Sequence, residues 1–326
     1  MVFMLILSEN DSFTSMADSW KVIVSSMSGG GKASREWPEI AARLEARGVT
    51  YSVSFTQYRF HARDIATEAL KEGHRQFLVL GGDGALHEVL SGIMSQSEVP
   101  SNQVTLAIIP VGSGNDWARL HEIPQGYDDV TDVIARGKRV LQDVAKVESV
   151  MDGDPFISYM VNIGGLGFDA QVCHDFDREK EKKEGNAGDA LYLKCLLKGF
   201  MGYDSRKFRV VTDGELFYEG DVFSVAMGIG KYSGGGMMQT PDAIFDDGLI
   251  DLTVIKKISK AKILRKIPVL FTGKIHSIKE VLRTRARVIE ISAEPESFVE
   301  VDGEAVGLSP IRVEVIPFAI GVITNL

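Results

Sequence analysis

The chain is predicted to fold as α/β, with a doubly wound nucleotide-binding domain followed by a mostly antiparallel β-sandwich domain. Three observations carry this. First, a short, wholly apolar run (Phe77, Leu78, Val79, Leu80) stops at Gly81-Gly82-Asp83-Gly84, and apolar residues at helical spacing follow at once (Ala85, Leu86, Val89, Leu90). Such a run followed by glycines reads as a buried parallel strand, a tight turn and a helix start. Second, strand and helix patterns alternate from residue 21 to about residue 140. Third, after Lys138 strand-like segments succeed one another across Asp152-Gly153 and Asp213-Gly214, and Asp-Gly between β-rich runs is a hairpin signal.

Size and composition agree with a two-domain enzyme. The 326 residues suit two units on a prior of roughly 150 residues each. The expected division is a tail at 1–20, an α/β domain at 21–140 and a β-rich domain at 141–310, with a last strand near 311–326 returning to the first domain. Apolar content of 44 % with 25 % charged residues is that of an ordinary globular protein. A net charge of −9 argues against nucleic acid as a partner. Cys173 and Cys195 fit neither a disulfide framework nor a zinc spacing, which suits a reducing cytoplasm. Residues 1–7 are apolar, but too short and without preceding Lys or Arg for a signal peptide. No stretch reaches the roughly 18 uninterrupted apolar residues of a spanning helix, so a soluble protein is expected.

The elements are taken in chain order. Residues 21–24 open as a strand and run into Ser25-Ser26-Met27-Ser28-Gly29-Gly30-Gly31-Lys32. Hydroxyls, free N–H groups and a lysine can hold phosphate oxygens, yet this is no Walker A loop, because Ala33 follows Lys32. Trp37, Ile40, Ala41 and Leu44 mark a helix that Gly48 closes, residues 49–55 a strand, and Ile65, Ala66, Ala69 and Leu70 a second helix. The turn at Gly81, Gly82 and Gly84 lets backbone N–H groups approach a ligand, and the helix behind it points its positive end at the same place. Asp83 among these glycines would repel phosphate unless a cation stood between them. Residues 104–109 form another strand and lead into Pro110-Val111-Gly112-Ser113-Gly114-Asn115-Asp116. If the two strands are neighbours, Asp116 and Asp83 meet at one sheet edge and invite a divalent cation such as Mg²⁺. The bland alternative is that Asn115 and Asp116 cap a helix. A dinucleotide fingerprint is discounted, since no third glycine follows.

In the second half, residues 175–189 are a dense mixed-charge run read as a solvated helix or loop, and residues 190–200 are more apolar and expected to pack down. The six histidines have no metal-ligand spacing and are read as structural. Asp246-Asp247-Gly248 suits either a hard cation or a surface turn. Residues 256–287 carry eleven Lys or Arg against the single acid Glu280. Interleaved with Ile258, Ile263, Leu264, Ile267, Leu270 and Phe271, these charges suit either the surface of an anionic membrane or an ordinary solvated helix. Residues 299–304 read as a hairpin turn carrying the two acids Asp302 and Glu304.

Four pieces in this order resemble the diacylglycerol kinase catalytic-domain family, in its bacterial lipid-kinase branch: Gly81-Gly82-Asp83-Gly84 with Glu88, residues 110–119, residues 234–248, and Asp302-Gly303-Glu304. The resemblance runs from about residue 21 to the C-terminus. It implies ATP held in a cleft between two domains, with Ser28, Gly29, Gly81, Gly82, Asp83, Gly84, Glu88, Gly112, Ser113, Gly114, Asn115 and Asp116 as nucleotide contacts. By the same resemblance Asp83 and Asp116 belong to a Mg²⁺ network, Asp246 and Asp247 lie near a second cation, and Asp302 is the general base on a lipid hydroxyl, with Glu304 in its motif. The implied activity is ATP- and Mg²⁺-dependent phosphorylation of a lipid, diacylglycerol foremost, in phospholipid biosynthesis, by a cytoplasmic protein peripheral at the inner membrane face. The oligomeric state stays open, a homodimer included. Departures from the family pattern stand at Ser25-Ser26 (for Asn-Pro), Ala85 (for Thr), His87 (for Asn) and Ile229-Gly230 (for Asn-Gly). The alternatives are a soluble-substrate kinase of the NAD kinase type and a non-catalytic lipid or nucleotide binder.

Overall fold

The computed structural model of the chain describes residues 16–182 and 189–326. The expected tail therefore lies, for residues 1–15, outside the described residues, as does the end of the mixed-charge run at 183–188. The first half is built on four parallel strands, β1 (Trp20–Val24), β2 (Tyr51–Phe55), β3 (Gln76–Gly81) and β4 (Thr105–Pro110), in the order β4-β3-β1-β2. Strands covered on both faces read as continuous apolar runs, and every residue of β4 is buried. The interleaved helices are α1 (Ser28–Ala46), α2 (His61–Lys71) and α3 (Asp83–Met94), followed by α4 (Asp116–Leu120) and α5 (Tyr127–Arg136). Helix α1 packs with α5 and α2 with α3. Gly92 lets α3 close on α2, because a Cβ there would stand 2.5 Å from the carbonyl oxygen of Arg63.

The second half is antiparallel. Its strands are β5 (Arg139–Met151), β6 (Asp154–Met160), β7 (Ile163–Gly167), β8 (Arg206–Thr212), β9 (Glu215–Gly228), the short ribbon β10 (Tyr232–Ser233) and β11 (Met237–Met238), β12 (Ile250–Lys256), β13 (Val281–Ala286), β14 (Val288–Glu294), β15 (Phe298–Val301) and β16 (Glu304–Ile323). Three of its hairpins turn on Asp-Gly pairs in the left-handed region: Asp152-Gly153 (φ 54° and 89°), Asp213-Gly214 (49° and 85°) and Asp302-Gly303 (50° and 86°). Two successive residues at positive φ match the twist of a two-residue hairpin, which is why Asp-Gly recurs there.

Strand β16 joins the halves. It begins antiparallel to β15, runs along β5, and ends with Gly321 and Val322 beside Thr105 and Leu106 of β4, in parallel. The core of the first half accordingly includes Val144, Ala319, Ile320, Val322 and Ile323. A separate core fills the β-rich half. Helices α6 (Phe168–Lys182) and α7 (Asp189–Gly202) follow β7 and pack on each other, and α8 (Lys260–Leu270) follows β12. A small apolar cluster of Phe168, Val172, Tyr203 and Phe223 receives Leu196, Ile258 and Ile263, so part of 190–200 does pack down. Its Leu197 remains 55 % exposed. Among the described residues no helix is long and apolar enough to cross a membrane.

Candidate active site

One cleft of about 480 Å³ collects residues from both halves. From the α/β side come Asp83, Gly84, Ser113, Gly114 and Asp116; from the β side come Asn162, Asp169, Gly235, Glu300, Asp302 and Glu304. Beta strands β3 and β4 are neighbours, with Gly81 opposite Pro110, so the two glycine loops leave the sheet side by side. Their backbones nearly touch. A Cβ on Gly82 would stand 3.1 Å from the Cα of Gly112, and one on Gly112 2.8 Å from the Cα of Gly82. The serine-glycine loop closes the same corner: Gly29, at φ 59°, has no room for a Cβ, which would meet the Val111 carbonyl oxygen at 2.6 Å. Ser28 Oγ–H donates to Ser25 Oγ at 2.8 Å.

Asp83 ties the loops together. Its Oδ2 accepts the Asp116 N–H at 3.1 Å and its Oδ1 accepts the Trp117 N–H at 3.0 Å. Asp83 is thus the cap of α4. Asn115 makes no side-chain cap bond to α4, and instead closes its own loop, donating to the Gly112 carbonyl at 2.7 Å and accepting the Gly112 N–H at 3.0 Å. The alternative reading, in which Asn115 and Asp116 merely cap the helix, is not what their side chains do. Burial pushes the Asp83 carboxyl above its ordinary value, against the pull of the Trp117 N–H. Asp116 is likewise raised by burial. Its Oδ2 accepts the Gly235 N–H at 2.8 Å, which brings the glycine-rich crossing after β9 onto the cleft. Its Oδ1 is buried without a hydrogen-bond partner, the Arg119 Nε being 3.8 Å away.

Across the cleft, Asp302 sits at the β15–β16 turn with its side chain 3 % exposed. Its Oδ1 accepts the Asn162 N–H at 2.9 Å, and its Oδ2 accepts the Val161 N–H at 3.0 Å and the His87 Nδ1–H at 3.2 Å. Glu304 accepts from Arg59 at 3.1 Å and lies close to Gly84, where a Cβ would meet its Oε1 at 2.8 Å. Glu300 accepts the Gly303 N–H at 3.0 Å and so supports the turn. Burial pushes Glu300 up to about 8, leaving it a neutral acid at pH 7. Asp169 accepts from Ser224 Oγ and Gln239 Nε2.

Two sequence families match this chain: "Diacylglycerol kinase catalytic domain" over residues 19–147 and "YegS C-terminal NAD kinase beta sandwich-like domain" over residues 163–324. Between them these two matches span most of the chain, a diacylglycerol kinase catalytic domain followed by a YegS-type C-terminal domain. It is 29 % identical over 279 residues, 85 % of this chain and 88 % of the relative, to "Probable lipid kinase YegS-like" of Yersinia enterocolitica. It is 28 % identical over 298 residues, 91 % of this chain and 92 % of the relative, to "Diacylglycerol kinase" of Mycobacterium tuberculosis. A diacylglycerol kinase crystal structure from Bacillus anthracis superposes with a TM-score of 0.73 at 24 % identity, covering 94 % of this chain and 97 % of that one. This likeness shows that the two chains share a fold.

Within this fold, the expected site residues fall into three places. Asp83, Gly84, Ser113, Gly114, Asp116, Asp302 and Glu304 line the cleft, while Gly81, Gly82, Gly112 and Asn115 build the loops behind it. Ser28 and Gly29 stand beside those loops, the first next to Gly81 and the second against Val111. Glu88 is turned elsewhere: it accepts the N–H groups of Phe60 and Ala62 at 3.0 and 3.1 Å, at the start of α2. Asp246 and Asp247 do not line the cleft. Their turn is fastened by Asp143, which accepts the Gly248 N–H, and Asp247 is paired with Arg285. Among the described residues no group of three or more His, Cys, Asp or Glu side chains is arranged to hold a metal ion.

Sequence reasoning missed His87, read as structural, together with Val161, Asn162, Glu300 and Arg59. A signal for His87 existed. It follows Asp83 by four residues and therefore shares its face of α3.

Proposed function

We propose that the protein transfers the γ-phosphoryl group of ATP to a lipid hydroxyl, with diacylglycerol as the acceptor and phosphatidic acid as the product. The observation that carries this is the meeting of Asp83 and Asp116 from one half with Asp302 and Glu304 from the other, around a single cleft. The names of the relatives and the apolar lining supplied by Ile163, Phe176 and Met237 support a lipid acceptor.

Phosphoryl transfer needs positioning and charge neutralisation more than covalent chemistry from the protein. The paired glycine loops put Gly84, Ser113 and Gly114 on the cleft, at the mouth of the parallel sheet, where ligands of such folds bind. Each oxygen of Asp302 has two lone pairs; Oδ2 is filled by two N–H donors, and Oδ1 keeps one for the lipid hydroxyl. In the proposed step that hydroxyl gives its proton to Oδ1, its oxygen bonds to the γ-phosphorus, and the bond to the β,γ-bridging oxygen breaks to release ADP. The buried, unpartnered Oδ1 of Asp116, beside Asp83, is a hard oxygen site that fits Mg²⁺ held through water; bound there, the ion neutralises phosphate charge. The exposed apolar residues of α8 among lysines and arginines support a peripheral site on an anionic bilayer.

The test is to incubate the protein with labelled ATP, Mg²⁺ and a total bacterial lipid extract, and to identify the labelled product by mass spectrometry. Labelled phosphatidic acid is expected. Label only in a soluble acceptor, or no label at all, would overturn the reading.

A further inference from the structure

The proposed chemistry leaves one buried titratable group unused. His87 lies on α3 with its side chain 7 % exposed, and its Nδ1 is 3.2 Å from Asp302 Oδ2. Its Nε2 is 3.5 Å from the hydroxyl of Ser158 on β6, which is neutral. The charged groups facing it are Asp302 and Glu304 from the β15–β16 turn and Glu88 from its own helix; Arg59 answers Glu304. Asp83, across the cleft, stands within the field of Asp302. A cation placed among acids offsets their mutual repulsion.

We propose that His87 is the positioning residue of Asp302: it occupies the second lone pair of Oδ2, so that Oδ1 alone meets the lipid hydroxyl, and it sets a positive charge against the carboxylate. This rests on the reading of Asp302 as the proton acceptor. Burial alone would favour the neutral imidazole, but the bond to Asp302 and the charges of Asp302, Glu304 and Glu88 outweigh it and hold His87 above its ordinary value. An amide at this position keeps a donor for Oδ2 and loses the charge; an alanine loses both. The two substitutions therefore separate orientation from charge.

The experiment measures kcat and KM for ATP and dioctanoylglycerol in mixed micelles, across the range where imidazole titrates, for wild type, His87→Asn and His87→Ala. His87→Asn is expected to move the acid limb of the kcat profile upward by about one to three pH units, a loss of about tenfold or more below neutrality, with both KM values unchanged. His87→Ala is expected to lose turnover at every pH. A His87→Asn profile superimposable on wild type would overturn the proposal, since a residue that merely fills space moves no titration. A second measurement does not depend on a folded His87 variant or on the acceptor lipid: ring-carbon NMR titration of wild type and Asp302→Asn. One imidazole is expected to titrate at lower pH when Asp302 is neutralised, and no change in any imidazole resonance overturns the proposal. The outcomes also separate the two readings. Full turnover by Asp302→Asn removes the proton-acceptor reading and this inference together, whereas an inactive Asp302→Asn beside an unaltered His87→Asn profile removes only the inference.

Discussion

The turns at Asp213-Gly214 and Asp302-Gly303 are nearly the same object. Both have left-handed φ at the two residues, close to 50° and 86°, and both aspartates accept two successive backbone N–H groups from another segment. For Asp213 these are Arg287 and Val288, at 3.0 and 2.9 Å, on Oδ1. For Asp302 they are Val161 and Asn162. The first turn is exposed to solvent. The second is roofed by α3, so its carboxylate gains His87 and faces the cleft. The dipeptide specifies the backbone, and the surroundings of the side chain specify its chemistry.

The widest separation between the two turns is expected from the same substitution made in each. Asp302→Asn removes the proton acceptor, and general-base catalysis is worth about 10²–10⁴-fold; kcat should fall by that factor, with the circular dichroism spectrum retained. Asp213→Asn keeps an acceptor oxygen in an exposed turn and should leave kcat unchanged, with a stability change within about 0.5 kcal/mol. Paired turnover and urea-melting measurements check both. Equal kinetic effects would erase the distinction between the turns.

A smaller effect tests the opposite wall of the cleft. Asp83 has both oxygens committed to the start of α4, so Asp83→Asn turns an amide NH₂ toward a backbone N–H donor. An unsatisfied buried group of that kind costs about 1–3 kcal/mol. The variant should melt correspondingly earlier and lose ATP affinity as well as turnover, whereas Asp302→Asn should lose turnover with ATP affinity kept. Calorimetric titration with ATP distinguishes them. There is a pH corollary with its sign set by burial: Asp83 is raised relative to the unfolded chain, so the stability it contributes is fully present below the unfolded value and is lost as pH rises from there through its folded value.

Much of this was legible because local chemistry dictated it. The run from Phe77 to Leu80 could only be a buried strand, and each Asp-Gly between β-rich segments is a hairpin. The meeting of Gly82 with Gly112 follows from β3 and β4 being neighbours, which the alternating pattern made a fair expectation. What stayed hidden is held by partners far apart in the chain. His87 and Asp302 are 215 residues apart and Asp83 and Trp117 are 34 apart, and nothing in the spacing around Asn115 reveals that its amide closes its own loop while another residue caps the helix. Asp246 and Asp247 show the converse. Their pairing is visible in the sequence, but the Arg285 that pairs with Asp247 stands on a distant strand.

The smallest effect concerns the surface beyond the cleft, where a third pairing of like residues is instructive. Ile263 of α8 packs into the cluster around Phe168, while Leu264, Ile267 and Phe271 on the same stretch are 57, 41 and 51 % exposed. No residue of α8 is fully buried. Met201, at the end of α7, is 73 % exposed, and its carbonyl accepts a bond from Lys260 of α8. An exposed apolar ridge flanked by Arg265 and Lys266 is costly in water and suited to an anionic interface, where each basic residue contributes about 1 kcal/mol and a fully inserted Leu or Phe contributes roughly 1.5–3 kcal/mol. The double variant Leu264→Ser with Phe271→Ser should weaken binding to anionic phospholipid vesicles about tenfold, since insertion recovers only part of that transfer energy. Arg265→Ala should weaken it about fivefold, with an effect that fades at high salt. Neither change touches the cleft, so turnover of a dispersed short-chain acceptor should be unaltered. Vesicle sedimentation beside a micellar assay reads the two quantities separately. Equal vesicle binding by wild type and variants would make this ridge an ordinary solvated helix face and leave the membrane contact to be sought elsewhere on the molecule.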